Sequence, residues 1–252
     1  MAWAEPLHPS GAWDLNYEET QCVAARKYGN PADPVTLAIR QSPNGETYEI
    51  LVGWKHRVSE PLTEEDSTVD FGNGPITALA LFYETAAKTV DVHSFRISAA
   101  DMAQARSASR LAVRISGSAD LTFDLASMPQ VLEGLQTCTE NLKQYWNMSG
   151  EKDGRVTTPA RGDLRSIFSS DDYPRLALRR GQAGAGQYLL LVDETGKVAG
   201  CQVLLATGAP VLDTMACSII EDRAKFTPAR DRNGKPVRST VVTPRIIWSL
   251  GR

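Results

Sequence analysis

The 252-residue sequence predicts an α+β fold in two domains: an N-terminal antiparallel sheet with two helices, and a C-terminal three-stranded antiparallel sheet with two helices. Alternating apolar segments separated by turn residues fill the first part, and a helix–strand–strand–helix–strand order fills the second. The charge also changes sign, because residues 1–150 carry 11 Lys+Arg against 19 Asp+Glu (net −8) and residues 151–252 carry 16 against 11 (net +5). We therefore predict domains at residues 1–150 and 165–252, joined by a linker at residues 151–164 that is rich in Gly, Thr and charged residues.

The N-terminal domain is predicted to consist of strands that are followed by helices. Its strand candidates are Trp13–Tyr17, Gln21–Lys27, Val35–Arg40, Thr47–Trp54, Ile76–Glu84, Thr89–Ile97, Leu111–Ser116 and Ala119–Leu125. Asn44-Gly45 favours a tight hairpin turn between the third and fourth of these, whereas the polar and acidic segment Gly53–Phe71 is predicted to be a long loop. Ser98 and Ser127 are candidate helix N-caps, and the helix after Ser127 turns Cys138 toward the interior.

The C-terminal domain is predicted from five consecutive elements. They are a short helix from Tyr173-Pro174 to Arg180, the strands Gln187–Val192 and Lys197–Ala206, the helix Leu212–Ala224 and the final strand Thr240–Trp248. Gly181 ends the first helix, and Asp213 lies where the positive end of the second helix dipole favours a carboxylate. This order predicts a helix-backed sheet of three strands.

Four cysteines, Cys22, Cys138, Cys201 and Cys217, lie far apart and form no CxxC pair, so a structural zinc site is not predicted. Two of them fall in each charge-defined half, which favours one disulfide per domain: Cys22 with Cys138, and Cys201 with Cys217. The sequence by itself allows three connectivities. Such bridges persist in an oxidising compartment such as the periplasm. The alternative is four buried, reduced thiols in a cytosolic protein.

Hydropathy and charge exclude two classes of partner. No stretch of about 18 apolar residues occurs, so no membrane span is predicted. A net charge of +5 on residues 151–252, without a Lys/Arg stripe interleaved with aromatics, argues against nucleic acid. Met1–Glu5 contains an Ala-x-Ala pattern without an apolar region before it, which fits either an arbitrary start or the remainder of a cleaved signal peptide.

A series of short motifs is spread over residues 165–249. In chain order they are Tyr173-Pro174, Arg180-Gly181, Val192 to Val198 around Gly196, Cys201-Gln202-Val203 to Ala206-Thr207-Gly208, Leu212-Asp213, Phe226-Thr227-Pro228-Ala229-Arg230-Asp231, Gly234-Lys235-Pro236-Val237 and Ile247-Trp248. In this order and spacing they resemble the TonB C-terminal domain family. The added cysteines at 201 and 217 resemble a branch of TonB-labelled envelope proteins in which strand and helix are bridged. The sequence shows neither the membrane anchor nor the proline-rich spacer of a full energy transducer, so we do not predict force transmission from the inner membrane.

The resemblance implies a periplasmic, non-enzymatic envelope protein that binds a protein or peptide. In the family, an extended segment of an outer-membrane receptor adds alongside the sheet near the final strand, which is β-augmentation. The residues that this assigns to partner binding are Thr240, Val241, Val242, Thr243, Arg245, Ile246, Ile247 and Trp248. A homodimer through the same edge is a second kind of partner. The alternative is an ordinary sheet edge, which Pro244 blunts against free pairing.

Catalytic, metal and cofactor chemistry finds little support in the sequence. No P-loop, GxSxG or HExxH motif occurs, and the glycines of 181–186 have the wrong spacing for a dinucleotide loop. The acidic run Glu64-Glu65-Asp66 fits a solvated loop better than a cation site. His56, beside Trp54 and Arg57, and His93, beside Phe95, are candidate general bases, but no nucleophile can be named for either.

Two alternatives to the binding module remain open. In one, the N-terminal domain binds a small ligand or is catalytic, and the C-terminal domain is a docking device. In the other, the chain is a structural or assembly protein of the envelope. A deep pocket near Trp54, His56 and His93 favours the first alternative, and a single large apolar interface favours the second. An open edge on the final strand favours the binding module.

Overall fold

The computed structural model describes residues 5–55, 62–85 and 89–251. It has a large antiparallel sheet and, in the described residues, four α-helices, so the mixed α and β composition that the sequence predicts is confirmed. The chain divides into two compact units, residues 1–139 and 140–252. The boundary between the two units therefore lies N-terminal to the linker predicted at residues 151–164. The predicted domain limits stay a prediction.

The first unit is built on a nine-stranded antiparallel sheet, in the order β1-β2-β3-β4-β7-β6-β5-β8-β9. Its strands are β1 (Asp14–Tyr17), β2 (Cys22–Tyr28), β3 (Val35–Gln41), β4 (Thr47–Lys55), β5 (Thr63–Asp70), β6 (Ile76–Glu84), β7 (Val90–Ser98), β8 (Arg110–Ile115) and β9 (Ala119–Asp124). The hairpin predicted around Asn44-Gly45 is present, since β3 and β4 pair on either side of it and Gly45 has a φ of +80°.

A segment before β1 joins two distant strands of this sheet. Leu7 forms a parallel bridge with Phe123 of β9, and Pro9 forms an antiparallel bridge with Tyr28 of β2. The backbone N–H of Leu7 donates to the Thr122 carbonyl at 2.7 Å, and the N–H of Asp124 donates to the Leu7 carbonyl at 3.1 Å. The segment therefore covers the edge of β9 that would otherwise be free to pair with another chain.

The prediction of a long loop at residues 53–71 is wrong for the residues of this segment that the structure describes. β4 continues to Lys55, and residues 63–70 form β5, which pairs with β6 and β8. Glu64, Ser67 and Val69 are buried in this strand. Most residues of β5 are polar, so its sequence lacks the alternation of apolar and polar residues that predicts a strand. The segment still forms a strand because it pairs with β6 on one side and β8 on the other, which outweighs the low strand propensity of these residues. The solvated position predicted for Glu64 is therefore also wrong, because its side chain is 1% exposed.

Two α-helices begin in the first unit. α1 (Ala99–Met102) continues as a turn of 3₁₀ helix, and the Ser98 hydroxyl accepts the N–H of Asp101 at 3.0 Å as a capping residue. α2 (Met128–Tyr145) carries Cys138, which is bonded to Cys22 of β2 across a Cα–Cα distance of 6.0 Å. The predicted pairing is thus the one that the structure contains.

The second unit contains a smaller sheet around a long central strand, β11. Its elements are β10 (Arg161–Gly162), α3 (Arg175–Arg180), β11 (Gly184–Val192), β12 (Val198–Leu205), α4 (Pro210–Arg223), β13 (Phe226–Thr227), β14 (Ala229–Arg230), β15 (Pro236–Val237), β16 (Ser239–Val242) and β17 (Ile246–Trp248). β11 pairs with β12 on one side and with both β16 and β17 on the other, so this sheet has four strands and not the predicted three. Short ladders join β10 to β13 and β14 to β15.

The second disulfide and the segment before α3 both fasten this unit. Cys201 of β12 is bonded to Cys217 of α4, with a Cα–Cα distance of 5.4 Å, as predicted. The N–H groups of Thr157 and Thr158 donate to the Arg230 carbonyl at 2.9 and 3.1 Å. Part of the predicted linker therefore lies against the C-terminal strands.

A buried carboxylate organises the corner between β12 and α4. Asp213, in the first turn of α4, is 1% exposed. Its Oδ1 accepts the backbone N–H of Thr207 at 3.0 Å and the hydroxyl of Tyr188 at 3.1 Å. These bonds join the corner, the helix and the central strand through one side chain.

No helix in the described residues has both the length and the apolar character needed to cross a bilayer.

Candidate partner-binding site

The predicted final strand, residues 240–248, is divided into two short strands. Thr243 turns toward β11, where its N–H donates to the Tyr188 carbonyl at 2.9 Å and its Oγ1 accepts the Tyr188 N–H at 3.1 Å. Pro244 follows with no N–H to donate. The Thr243 hydroxyl therefore takes the place of a backbone carbonyl as the acceptor of the Tyr188 N–H. The regular pairing with β11 stops at this point and resumes at Ile246. The expectation of one continuous strand was wrong for this reason.

The structure places the predicted binding residues along one side of β11 but exposes them unequally. Val242 is 53% exposed and Ile247 is 73% exposed. Arg245 is exposed, while Thr240, Val241 and Ile246 are half-buried. Thr243 and Trp248 are buried at 1% and 6%. Val242 and Ile247 are therefore the apolar side chains that a partner can reach from solvent.

The backbone of β16 has an open outer edge. Because Thr243 hydrogen-bonds toward β11, alternation along an antiparallel strand directs the N–H and C=O groups of Val242 and Thr240 away from β11. In the part of the chain that the structure describes, β16 pairs with no strand other than β11. This edge offers two residues for pairing before Pro244 ends it.

A groove of about 510 Å³ lies beside β17. Its lining residues are Leu164, Arg165, Phe168, Ser169, Ser170, Tyr173, Pro244, Arg245, Ile246, Ile247, Trp248 and Ser249. The Trp248 ring meets Phe168 and Tyr173 edge to face, at centroid distances of 6.1 and 5.4 Å. Sequence reasoning missed the side formed by residues 164–173, although two aromatics before a short helix are a detectable signal.

The indole N–H of Trp248 is buried and has no hydrogen-bond partner in the described structure. A buried donor without an acceptor costs about 1–3 kcal/mol, and native structures rarely keep one.

An ion pair holds the segment 167–172, which contributes Phe168, Ser169 and Ser170 to the lining of the groove. Arg223, at the end of α4, donates to both carboxylate oxygens of Asp172 at 2.9 and 2.8 Å and to the Ile167 carbonyl at 3.0 Å. The backbone N–H of Ser169 also donates to Asp172, at 2.7 Å. The guanidinium first, and this N–H second, lower the pKa of Asp172 from 3.8 to about 2.

We expect the Asp172 carboxyl to titrate near pH 2 in a carbon-detected NMR titration of the full chain. Since the folded pKa is lower than the unfolded one, the ion pair stabilises the fold above about pH 4 and is lost as the pH falls toward 2. Arg223→Gln should return the midpoint toward the ordinary aspartate value. An unchanged midpoint in that variant would contradict the role given to Arg223.

The candidate residues of the first unit are only partly brought together. The rings of Trp54 and Phe82 lie 4.8 and 5.1 Å from the buried His93 ring, and His93 Nδ1 lies 3.1 Å from Glu65 Oε2. His56 and Arg57 lie outside the described residues. Glu64, Glu65 and Asp66 follow one another on β5, so their side chains alternate between its faces. Across the described residues, no group of three potential metal ligands gathers.

Gly181 and Gly196 have structural roles, at the end of α3 and in the turn between β11 and β12. Gly181 ends α3 in the left-handed conformation, with a φ of +62°. Gly196 has a φ of +87° in the β11–β12 turn, and its carbonyl accepts the N–H of Phe226 at 2.9 Å. A Cβ at Gly196 would collide with the Phe226 carbonyl. The turn therefore needs glycine for its own geometry.

Comparison with protein families gives a match that falls in the second unit. Residues 169–250 match the family model of the Gram-negative bacterial TonB protein C-terminal. No curated protein and no solved structure matches the chain. The family belongs to the Gram-negative envelope, and its domains generally interact with proteins and are not enzymes. The matched residues include α3, the β11–β12 hairpin, α4, both final strands and the wall of the groove from Ser169 onward. Residues 169–250 therefore match the TonB C-terminal domain family, which confirms the resemblance predicted from their motifs.

Proposed function

We propose that this chain is a non-enzymatic periplasmic protein that binds an extended segment of a protein partner along β16 and β17. The observation that carries the proposal is the open edge at Thr240 and Val242, in a domain whose family binds proteins. Main-chain hydrogen bonds at such an edge supply affinity, and side-chain contacts supply selectivity. The two disulfides support the periplasmic location, because they persist in an oxidising compartment.

The edge alone is too short for tight binding. Two outward-facing residues offer two N–H and two C=O groups. At about 1 kcal/mol net per hydrogen bond these give about 4 kcal/mol, which at best offsets the roughly 4 kcal/mol or more that association costs in translational and rotational freedom. A partner that binds more tightly must also contact side chains beyond Pro244. The exposed Ile247 and the groove beside β17 are the surfaces that lie there.

Site-specific photo-crosslinking in intact cells tests this proposal. We expect a photoreactive phenylalanine analogue at Val242 or Ile247 to give a discrete protein adduct. Leu178 on α3 is a matched control, because it is 51% exposed against 53% for Val242 and lies away from the edge in sequence. An equal pattern of adducts from Leu178 and Val242, or none from Val242 and Ile247, would refute the proposed edge.

The mass of the adduct also identifies the class of partner. An adduct of twice the chain mass, together with a dimer in light scattering, would show that a second copy occupies the edge. Val242→Pro removes an outward N–H and leaves the inward bonds of Val241 and Thr243 in place. We expect this variant to fold and to lose the adduct formed at Ile247.

A further inference from the structure

The two disulfides differ in how accessible their cysteines are to solvent. Cys22 and Cys138 are buried, and Cys22 lies in β2, which pairs with a strand on each side. Cys201 and Cys217 are both half-buried. Thiol–disulfide exchange begins when a thiolate reaches one of the two sulfurs, so accessibility favours attack on the second bridge.

The surroundings of the second bridge leave it open on one side. Cys201 lies in the middle of β12, which pairs with β11 alone in the residues that the structure describes. Thr214 and Glu221, one turn before and one turn after Cys217 on α4, are exposed. The bridge therefore joins an edge strand to the margin of the buried face of the helix, where a reductant can approach it.

The two bridges also differ in the loops that they close. Cys201 and Cys217 are 16 residues apart, whereas Cys22 and Cys138 are 116 apart. The stabilisation from a disulfide grows with the logarithm of its loop length, so loop length alone favours reduction of the shorter bridge by roughly twenty-fold at equilibrium with a dithiol. Accessibility and loop length thus favour reduction of the same bridge.

Other contacts hold α4 in place when the bridge is reduced. Asp213 fixes the first turn of the helix through its hydrogen bonds to Thr207 and Tyr188. Ile219 and Ile220 are buried after the bridge. Reduction therefore leaves the unit folded and removes the covalent anchor in the middle of α4.

The end of α4 beyond the bridge holds one part of the groove. Arg223 follows Cys217 on the same helix and donates to the Asp172 carboxylate and to the Ile167 carbonyl. The segment 167–172 that it holds contributes Phe168 to the groove lining. Greater motion at this end of α4 is transmitted to the segment 167–172 through the Arg223 side chain.

We propose that the Cys201–Cys217 bridge is a site of thiol–disulfide exchange with a dithiol reductant, and that its reduction loosens the segment 167–172. One thiolate of the reductant attacks a sulfur of the bridge, the S–S bond breaks, and the other cysteine leaves as a thiolate that takes a proton from water. The second thiol of the reductant loses its proton and attacks the reductant's own sulfur in the mixed disulfide, which releases the remaining cysteine. Two electrons pass to the bridge, and the dithiol becomes a disulfide.

This exchange gives the groove two states. The inference rests on the proposed function, because the loosened segment lines the groove beside the proposed binding strands. The oxidised bridge keeps the groove ordered for a partner, and the reduced bridge increases the ordering that binding has to impose.

Reduction of the folded full chain by dithiothreitol tests the exchange site. Free thiols are alkylated at successive times, and mass spectrometry measures the modified fraction of each cysteine. We expect Cys201 and Cys217 to become modified about ten-fold faster than Cys22 and Cys138, or more. Equal rates, or faster reduction of the first bridge, would overturn the assignment.

Amide hydrogen exchange tests the effect on the groove. Selective reduction of the second bridge should speed exchange of the amides in the segment 167–172 by about three- to ten-fold. Cys201→Ser with Cys217→Ser should give the same change without reductant. Unchanged exchange in both samples would overturn the link between the bridge and the groove.

Arg223→Gln provides the matched control for this link. It removes the ion pair to Asp172 and leaves the disulfide in place, so it should speed exchange in the segment 167–172 without changing the rate of reduction. Unchanged exchange in this variant would overturn the route through Arg223. These measurements need no partner, so absence of photo-crosslinked adducts at Val242 and Ile247 refutes the proposed function separately.

Discussion

Replacing Cys22 and Cys138 together by serine should lower the free energy of unfolding of the first unit by about 4–5 kcal/mol. The bridge joins residues 116 apart, so its removal returns a large loop entropy to the unfolded chain. Cys22 and Cys138 are also buried, at 1% and 3% exposure, so each replacement buries a serine hydroxyl. Guanidinium unfolding followed by circular dichroism measures the loss, and amide hydrogen exchange read by mass spectrometry assigns it to residues 1–139.

The second bridge provides the matched comparison. Cys201 and Cys217 are 16 residues apart, so the same double replacement should cost the C-terminal unit about 3 kcal/mol. Equal losses from the two variants, or faster exchange in the wrong unit, would contradict the dependence on loop length. Free thiols found at all four positions by mass spectrometry under non-reducing conditions would remove the basis of both expectations.

The elements that could be predicted from the sequence are those with a local signal. Asn44-Gly45 favours a turn whose twist suits a hairpin, and β3 and β4 pair across it. Ser98 caps α1 because its hydroxyl reaches an N–H three residues on, which is fixed by sequence spacing alone. The parity of Cys201 on its strand likewise turns it toward the helix that carries Cys217.

The elements that were missed depend on contacts distant in sequence. β5 contains Glu64, Glu65 and Asp66, a run with low strand propensity, and it becomes a strand because β6 and β8 pair with it. The division of the final strand requires Tyr188, 55 residues before Thr243, to bond the Thr243 hydroxyl. No local pattern contains that information.

The same contrast between local signals and distant contacts explains why only one side of the candidate site could be predicted. The edge at Val242 and Ile247 follows from motifs that identify the final strand. The opposite side of the groove is brought there by Arg223, which bonds Asp172 across 51 residues. Phe168 can be recognised as an apolar residue in a polar stretch, but its contact with Trp248 depends on that fold.

Asp213→Ala should lower the free energy of unfolding of the C-terminal unit by about 3–5 kcal/mol. The substitution deprives the Thr207 N–H and the buried Tyr188 hydroxyl of this acceptor, and hydrogen bonds to a charged group contribute about 1.5–3 kcal/mol each. Denaturant unfolding of the full chain, with exchange of the amides of residues 140–252 as the local readout, measures the loss.

Tyr188→Phe separates the two hydrogen bonds, because it removes the hydroxyl and leaves the bond from Thr207 intact. It should cost about 1.5–3 kcal/mol, and the double variant should cost less than the sum of the single ones, since the interaction is then counted once. Additive losses would show that Asp213 and Tyr188 act independently. Coupled losses would show that the Asp213 side chain and the Tyr188 hydroxyl stabilise the fold through their shared hydrogen bond. The backbone of the same tyrosine bonds Thr243, where β16 ends, so Tyr188 lies between this corner and the proposed binding edge.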